Sequence, residues 1–326
     1  LCSALSVGNG IVLKELSNPA SIHVDDQKAF IVEGTTVYIY ALKTGALQDV
    51  FGQKGEGPAD FSRFVGCISE IDNQLVINSF GKLSFFSKAG RFIKSKRTIS
   101  GIPVFNVLPI KHKYVGITTA FKSLMTVSLN VNIYKDDFSL ERTIFRLPQM
   151  EQGKMHILNS LFIANSFQVY QDKIYILNNT HDRIDILDEN GRCLGSFLHR
   201  LKKIEFTEKH KQLFLDSMPK EYRARRKQMI KHLIIPKYFP IINRIDITGN
   251  YIYLHGWKKA KDSLSHFIRC FNLKGIFLYD FDIRSDSHFS TRQAPMAIYK
   301  QILYLLKENQ NENWTLHAIP LKRNES

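Results

Sequence analysis

The sequence predicts an all-β fold, a single six-bladed β-propeller, on three observations. A unit of alternating strands recurs about every 40 to 50 residues. The clear units carry Gly-containing tight turns between β-branched and aromatic runs, the pattern of hairpins that bury one face. The last unit is one strand short, and one early run has no unit of its own.

The first unit runs from Ala20 to Gly52, with ASIHV, KAFIVE, TTVYIYAL, a turn at Lys43-Thr44-Gly45, and LQDVFG. The second spans Phe64 to Thr98, with turns at Asp72-Asn73 and Lys88-Ala89-Gly90. The third is less regular: VFNVLPI, KYVGITTA, LMTVSLNVNIY and LERTIFRL. The fourth reads LFIANSFQVY, KIYILNN, RIDILDENG and RCLGSFL, and the fifth YFPIINRIDI, YIYLHGW, SHFIRCFNLKG and IFLYDFDI. The sixth supplies only APMAIY, QILYLL and NWTLHAIPL. Open sheet edges expose unpaired backbone groups, so the run Ile11 to Leu16 is assigned as the outer strand of the sixth blade. The domain is then residues 11–326, with 1–10 as a tether ahead of it.

Two segments break the rhythm. FGQKGEGPADF (Phe51 to Phe61) is a glycine-rich crossing between the first two blades. It has no Lys-Ser/Thr pair and no helix start after Pro58, so it is a structural connection and not a phosphate loop. The second, residues 202–237, predicts a basic, amphipathic helical insertion between blades four and five. Thr207-Glu208 and Ser217 before Pro219 look like helix starts. Tyr222, Met229, Ile230, Leu233 and Ile234 recur at helical spacing.

Composition bounds the function. At 326 residues, 44% hydrophobic and 12% aromatic, the chain is globular and large enough to need no staples. No run of about 18 uncharged apolar residues is present to span a membrane as a helix. Of the net charge of +15, +8 lies between Arg200 and Lys237, where twelve Lys/Arg face four Asp/Glu. Lys220, Arg223, Arg225, Arg226, Lys227 and Lys231 are the candidate binding residues of that segment, for a protein or an anionic glycan at one rim of the propeller. Nucleic acid is not the expected partner, because basic and aromatic residues are not interleaved as in single-strand platforms. Cys2, Cys67, Cys193 and Cys270 have no CxxC or zinc-finger spacing. Cys67 and Cys270 sit in alternating runs as buried thiols, whereas Cys2, between Leu1 and the small Ser3 and Ala4, is a lipidation candidate.

The crossing resembles a signature of six-bladed propeller proteins common in Bacteroidetes, many of them predicted lipoproteins. The matching residues are Phe51, Gly52, Gly55, Glu56, Gly57, Pro58 and Phe61, with Asp60 where that family often carries Glu. Tyr238-Phe239-Pro240 followed by an Ile/Asp-rich strand and Gly249-Asn250 is a second match. The family is similar in shape to NHL and TolB-type propellers. The resemblance implies an extracytoplasmic protein, lipid-anchored to the envelope or periplasmic, and says little of its ligand.

Some propellers are metal-assisted hydrolases that gather Glu, Asn and Asp in a central channel. The inner strands offer His23, Asp25, Glu70, Asn243 and Asp246 as channel candidates, with Asn106, Asn165 and Gln293 beside them. No Gly-x-Ser-x-Gly elbow or His-Glu-x-x-His helix occurs. Asn178-Asn179-Thr180-His181-Asp182 is explained as turn chemistry, and His210, His232 and His255 read as isolated. The expectation is a monomeric, non-enzymatic binding or scaffolding propeller of the bacterial cell envelope with no cofactor. The alternative is a metal-assisted hydrolase or lyase holding Ca or another divalent cation in the channel.

Overall fold

A computed structural model describes residues 10–62, 65, 67–79, 81–97, 104–123, 126–146, 150–151, 155–156, 167–179, 181–210, 212, 233–234, 237–238, 242–260, 263–283 and 294–321. Five four-stranded antiparallel sheets and one five-stranded sheet account for most of them, and the fold class is the all-β six-bladed propeller. The chain divides into two compact units, residues 1–109, 136–139 and 294–326 in one and residues 110–135 and 140–293 in the other.

In the first unit, β2 (Ser21–Val24), β3 (Lys28–Glu33), β4 (Thr36–Ala41) and β5 (Leu47–Phe51) form blade one. Blade two is β6 (Cys67–Ile71), β7 (Gln74–Ser79), β8 (Lys82–Ser87) and β9 (Phe92–Arg97). Blade six joins β25 (Met296–Tyr299), β26 (Ile302–Glu308) and β27 (Trp314–Pro320) to β1 (Ile11–Leu13), which pairs antiparallel with β27 at Ile11–Leu316, Val12–Thr315 and Leu13–Trp314. This strand is shorter than the run to Leu16, because Glu15 takes a left-handed backbone (φ 72°) that turns the chain away. Leu13 and Leu16 still point into the core shared by blades six and one, with Ile31, Tyr40, Tyr304 and Leu316.

The second unit holds blades three to five. Blade three is β10 (Val104–Ile110), β11 (Lys113–Ser123), β12 (Thr126–Tyr134) and β13 (Leu140–Arg146), with β14 (Met150–Glu151) added to β12. Blade four is β16 (Phe167–Tyr170), β17 (Lys173–Asn178), β18 (Arg183–Leu187) and β19 (Cys193–Leu198). Blade five is β21 (Ile242–Thr248), β22 (Tyr251–Ala260), β23 (Ser263–Asn272) and β24 (Phe277–Ile283). Ile184, Ile245, Ile247, Leu254 and Phe271 pack blade four onto blade five. Each fully buried aliphatic or aromatic side chain stabilises the fold by about 1.5–3 kcal/mol relative to an exposed one.

Blades in each unit also interlock at their outer turns. Gly90, at φ 75°, lies so close to the outer strand of blade one that a Cβ there would sit 2.8 Å from the Phe51 ring. Gly275, at φ 76°, meets Phe197 of blade four in the same way. Both the backbone sign and the close approach require glycine.

The helical insertion expected over 202–237 is not supported. Among the described residues only Glu208–His210 and Gln212 are helical, beginning where Thr207 Oγ1 accepts the His210 amide at 3.4 Å. Leu233–Ile234, counted into the helical stripe, instead form β20, paired parallel with β15 (Met155–His156). A short Leu-Ile-Ile run satisfies helical and strand patterns alike, and the pairing partner decides between them. Residues 213–232, with Lys220, Arg223, Arg225, Arg226, Lys227 and Lys231, lie outside the described residues, as do 1–9 with Cys2.

Candidate functional site

The glycine-rich crossing clasps a lysine. Phe61 and Gln53 close its base, with Phe61 N donating to Gln53 O at 2.8 Å and Gly55 N to Phe61 O at 3.1 Å. Asp60 ties it internally, accepting from Gly57 N and Gln53 Nε2, each at 3.0 Å. The carbonyls of Gly57 and Asp60 then receive the Lys82 ammonium at 2.6 and 2.8 Å, leaving that residue 3% exposed. A phosphate cradle turns amides inward, whereas this loop turns carbonyls onto a cation. It is a structural clasp.

Three of the channel candidates converge in the first unit. His23 and Asp25 lie on and just after β2, and Glu70 is on β6. Lys88, in the outer turn of blade two, reaches between the carboxylates, 2.9 Å from Asp25 and 2.7 Å from Glu70. His23 Nε2 stands 3.5 Å from the other Glu70 oxygen. His23 and Lys88 together hold the Glu70 carboxyl down to about 2 against the opposing effect of burial. Burial alone would raise Asp25, but the Gln27 amide, Lys88 and the Lys28 amide outweigh it and keep its carboxyl below the ordinary value. The Lys88 ammonium takes the place between the carboxylates that a bound cation would need. Among the described residues no three His, Cys, Asp or Glu are grouped to hold a metal ion.

Asp246 belongs to a second cluster, in blade five. Arg244, two residues along β21, binds it through two nitrogens at 2.6 and 2.8 Å, and His255 Nε2 lies 2.7 Å away. The register explains the meeting, since Arg244 is paired with His255 across the β21–β22 ladder. His255 is therefore not isolated. Burial pushes its pKa down while Asp246 opposes that, and Asp246 itself is held far below the ordinary carboxylate range by Arg244 and His255 despite its burial. The His266 ring lies tilted at 5.6 Å from His255 and at 5.3 Å from Trp257, and burial lowers its pKa to about 3. Asn243 is buried, and among the described residues neither of its amide atoms has a hydrogen-bond partner.

The other polar positions are structural. Asn178 accepts the His181 amide at 3.3 Å and donates to Asp185 at 2.8 Å, as turn chemistry requires. Cys270 is buried, Cys67 is half-buried against the Val107 carbonyl at 3.8 Å, and Cys193 is exposed. Asn165 and Gln293 lie outside the described residues.

The second unit also carries a half-open groove of about 560 Å³, lined by Phe197, Leu198, Ile276 and Phe277 and by His199, Arg200 and Arg269. That volume is in the range of small-molecule sites. Leu198, Ile276 and Phe277 are each more than half exposed, which is unusual for large apolar side chains lying together. Arg269 is fixed by Asp280 through two 2.7 Å bonds, donates to the His199 carbonyl at 3.0 Å, and lies over the Phe277 ring. No sequence motif marked this groove. Its one signal was the apolar residues that follow the turn glycine in blade five.

No family model and no curated protein matches the sequence. Solved structures similar in fold include a protein assigned as exported from Bacteroides fragilis NCTC 9343, 11% identical, with a TM-score of 0.56 over 97% of this chain and 95% of that one. A member of the DUF4221 family from Bacteroides vulgatus ATCC 8482 is 10% identical, with a TM-score of 0.51 over 95% of each chain. At such identities the likeness concerns the fold alone. It agrees with the propeller fold expected from the sequence.

Proposed function

We propose that the chain is a non-enzymatic binding or scaffolding propeller of the bacterial cell envelope. One observation carries this reading: the two polar clusters neutralise themselves. Lys88 occupies Asp25 and Glu70, and Arg244 with His255 occupies Asp246, so among the described residues these three carboxylates are committed to partners and none is free to act as a general acid or base. The open groove, by contrast, exposes the large apolar side chains Leu198, Ile276 and Phe277 beside His199, Arg200 and Arg269. The exported assignment of a protein with the same fold supports the envelope location, and the finer NHL/TolB-like lipoprotein reading rests on the crossing and on Cys2.

In this reading the monomeric chain is tethered through a lipid on Cys2, and the basic segment docks an acidic protein or an anionic glycan. At physiological ionic strength its field fades over about 8 Å, so the partner must touch it. The test measures retention of the full chain on immobilised alginate at graded salt, with metal content read by mass spectrometry. Replacing Arg223, Arg225, Arg226 and Lys227 by Gln should weaken retention and flatten its salt dependence without changing the melting temperature. Retention that ignores the four substitutions would overturn the docking assignment. One tightly held calcium or other divalent ion per chain would favour the rival hydrolase.

A further inference from the structure

The outermost strand of blade two is an open sheet edge that carries charge of one sign. β9 pairs with β8 from Phe86–Phe92 to Lys82–Arg97 and, among the described residues, with no strand on its other side. Its sequence, FIKSKR, holds Lys94, Lys96 and Arg97 and no carboxylate, and Arg91 stands just ahead of it. Phe92 and Ile93 at its start are exposed. A charged side chain on an edge discourages pairing with other strands of like charge. The outer strand β5 of the same unit has Asp49 alone for that purpose, so three cations on β9 exceed what protection needs.

The cations follow the strand period. Lys94 and Lys96 lie opposite Phe85 and Leu83 on one face, where the Lys94 ammonium sits 4.9 Å from the centre of the Phe85 ring. Arg97, opposite Lys82, belongs to the other face. Lys96 meets Asp136 at 2.5 Å and Arg97 meets Glu56 at 3.1 Å. Those two carboxylates are 69% and 74% exposed, so both pairs are weak and open to exchange with the carboxylates of a ligand. Among the described residues no carboxylate is paired with Lys94 or with Arg91.

We propose that β9 accepts an extended acidic peptide as an added strand of blade two. The peptide backbone pairs with the open edge, and carboxylates at alternate positions meet Lys94 and Lys96 on one face, with Arg97 adding to the positive potential from the other. A strand is selected because its side chains recur on a face at about 7 Å, the spacing of the two lysines themselves. It also supplies backbone donors and acceptors along the whole edge. An anionic glycan or a lipid headgroup brings charge without that ladder. This surface lies outside the basic segment of residues 202–237, and it goes beyond the docking role given to that segment above.

The test is calorimetric titration of the full chain with a short blocked peptide alternating Glu and Thr. The controls are the same peptide methylated on its backbone nitrogens and a counterpart with Lys for Glu. The acidic peptide is expected to saturate at one per chain and to bring hydrogen-exchange protection to amides of β9. Both controls should bind at least about tenfold more weakly. Lys94→Gln combined with Lys96→Gln should weaken the acidic peptide about tenfold, and the variant should melt like the parent because neither side chain is buried. Gln at Arg223, Arg225, Arg226 and Lys227 should leave peptide binding as it is. Equal binding of the methylated peptide would show charge attraction without strand pairing and overturn the proposal. Unchanged protection of β9, indifference to the two lysine substitutions, or no binding at millimolar concentration would overturn it too. Failure here leaves the alginate result standing, since that test reads a different segment.

Discussion

Replacing Lys82 by Met tests whether the glycine-rich crossing depends on the cation it encloses. Methionine keeps most of the apolar stem and deletes the ammonium that donates to Gly57 O and Asp60 O. A hydrogen bond from a charged donor contributes about 1.5–3 kcal/mol, so two give a gross loss of about 3–6 kcal/mol. Part of that is returned, because burial, with Arg97 adding to it, already disfavours the charged form and lowers the lysine pKa. The net cost is about 2–4 kcal/mol, mainly from the Asp60 carbonyl left without a donor, since the Gly57 carbonyl still receives the Asp60 amide at 3.1 Å, and it lowers the melting temperature by about 3 to 6 °C. Circular dichroism melts give the first reading and amide hydrogen exchange the second. The Gly55 and Phe61 amides should lose protection before the strands of blades one and two. An unchanged melt with unchanged protection at these two amides would show that Asp60 and the glycines hold the crossing by themselves.

The closing strand and the two clusters yield further outcomes. Leu13→Ala should cost about 2–4 kcal/mol because the side chain is buried in the core of blades six and one, whereas Val12→Ala, on the exposed face, should stay within about 0.5 kcal/mol. Equal denaturation midpoints for the two variants would contradict the pairing of β1 with β27. Acid stability should fall in two stages. His266 drops from 6.5 to about 3 on folding, so only the unfolded chain takes up its proton, and stability declines as pH falls from 6.5 toward 3. Glu70 drops from 4.5 to about 2, so its contribution is complete above 4.5 and is lost as pH falls toward 2. Denaturant titrations across that range should show a shallower upper stage in His266→Phe and a shallower lower stage in Glu70→Gln. Slopes identical to the parent would exclude these groups as the cause.

Much of the architecture was legible because strand alternation is a local signal. INRIDIT alternates in burial along β21, KAFIVE and KIYILN are short apolar runs buried on both faces and bounded by turn residues, and the missing sixth-blade strand followed from counting edges. The segment after blade four was misread where Leu233–Ile234 pair with Met155–His156, a partner far away in sequence that no periodicity announces. The site was less legible for the same reason. Lys88 looked like an ordinary turn residue, and only the folded turn brings it to Asp25 and Glu70. His255 looked isolated until the ladder set it opposite Arg244. The groove needs Phe197 and Phe277 from two different blades, and nothing in either local run marks them as neighbours.

The pairing of β1 with β27 has a consequence in polymer terms. Ile11 faces Leu316, so the two ends of the first unit's covalent path run antiparallel in one sheet, like the arms of a hairpin whose loop has been cut. Three residue pairs hold β1 to β27 with no turn joining them, whereas β25, β26 and β27 follow one another directly along the chain. Strand β1 can leave without drawing blade six's other strands after it, which makes it the place where the unit first frays. A short covalent link from Pro320 back to Ile11 would remove that freedom, reducing the entropy of the unfolded chain while leaving the native contacts as they are.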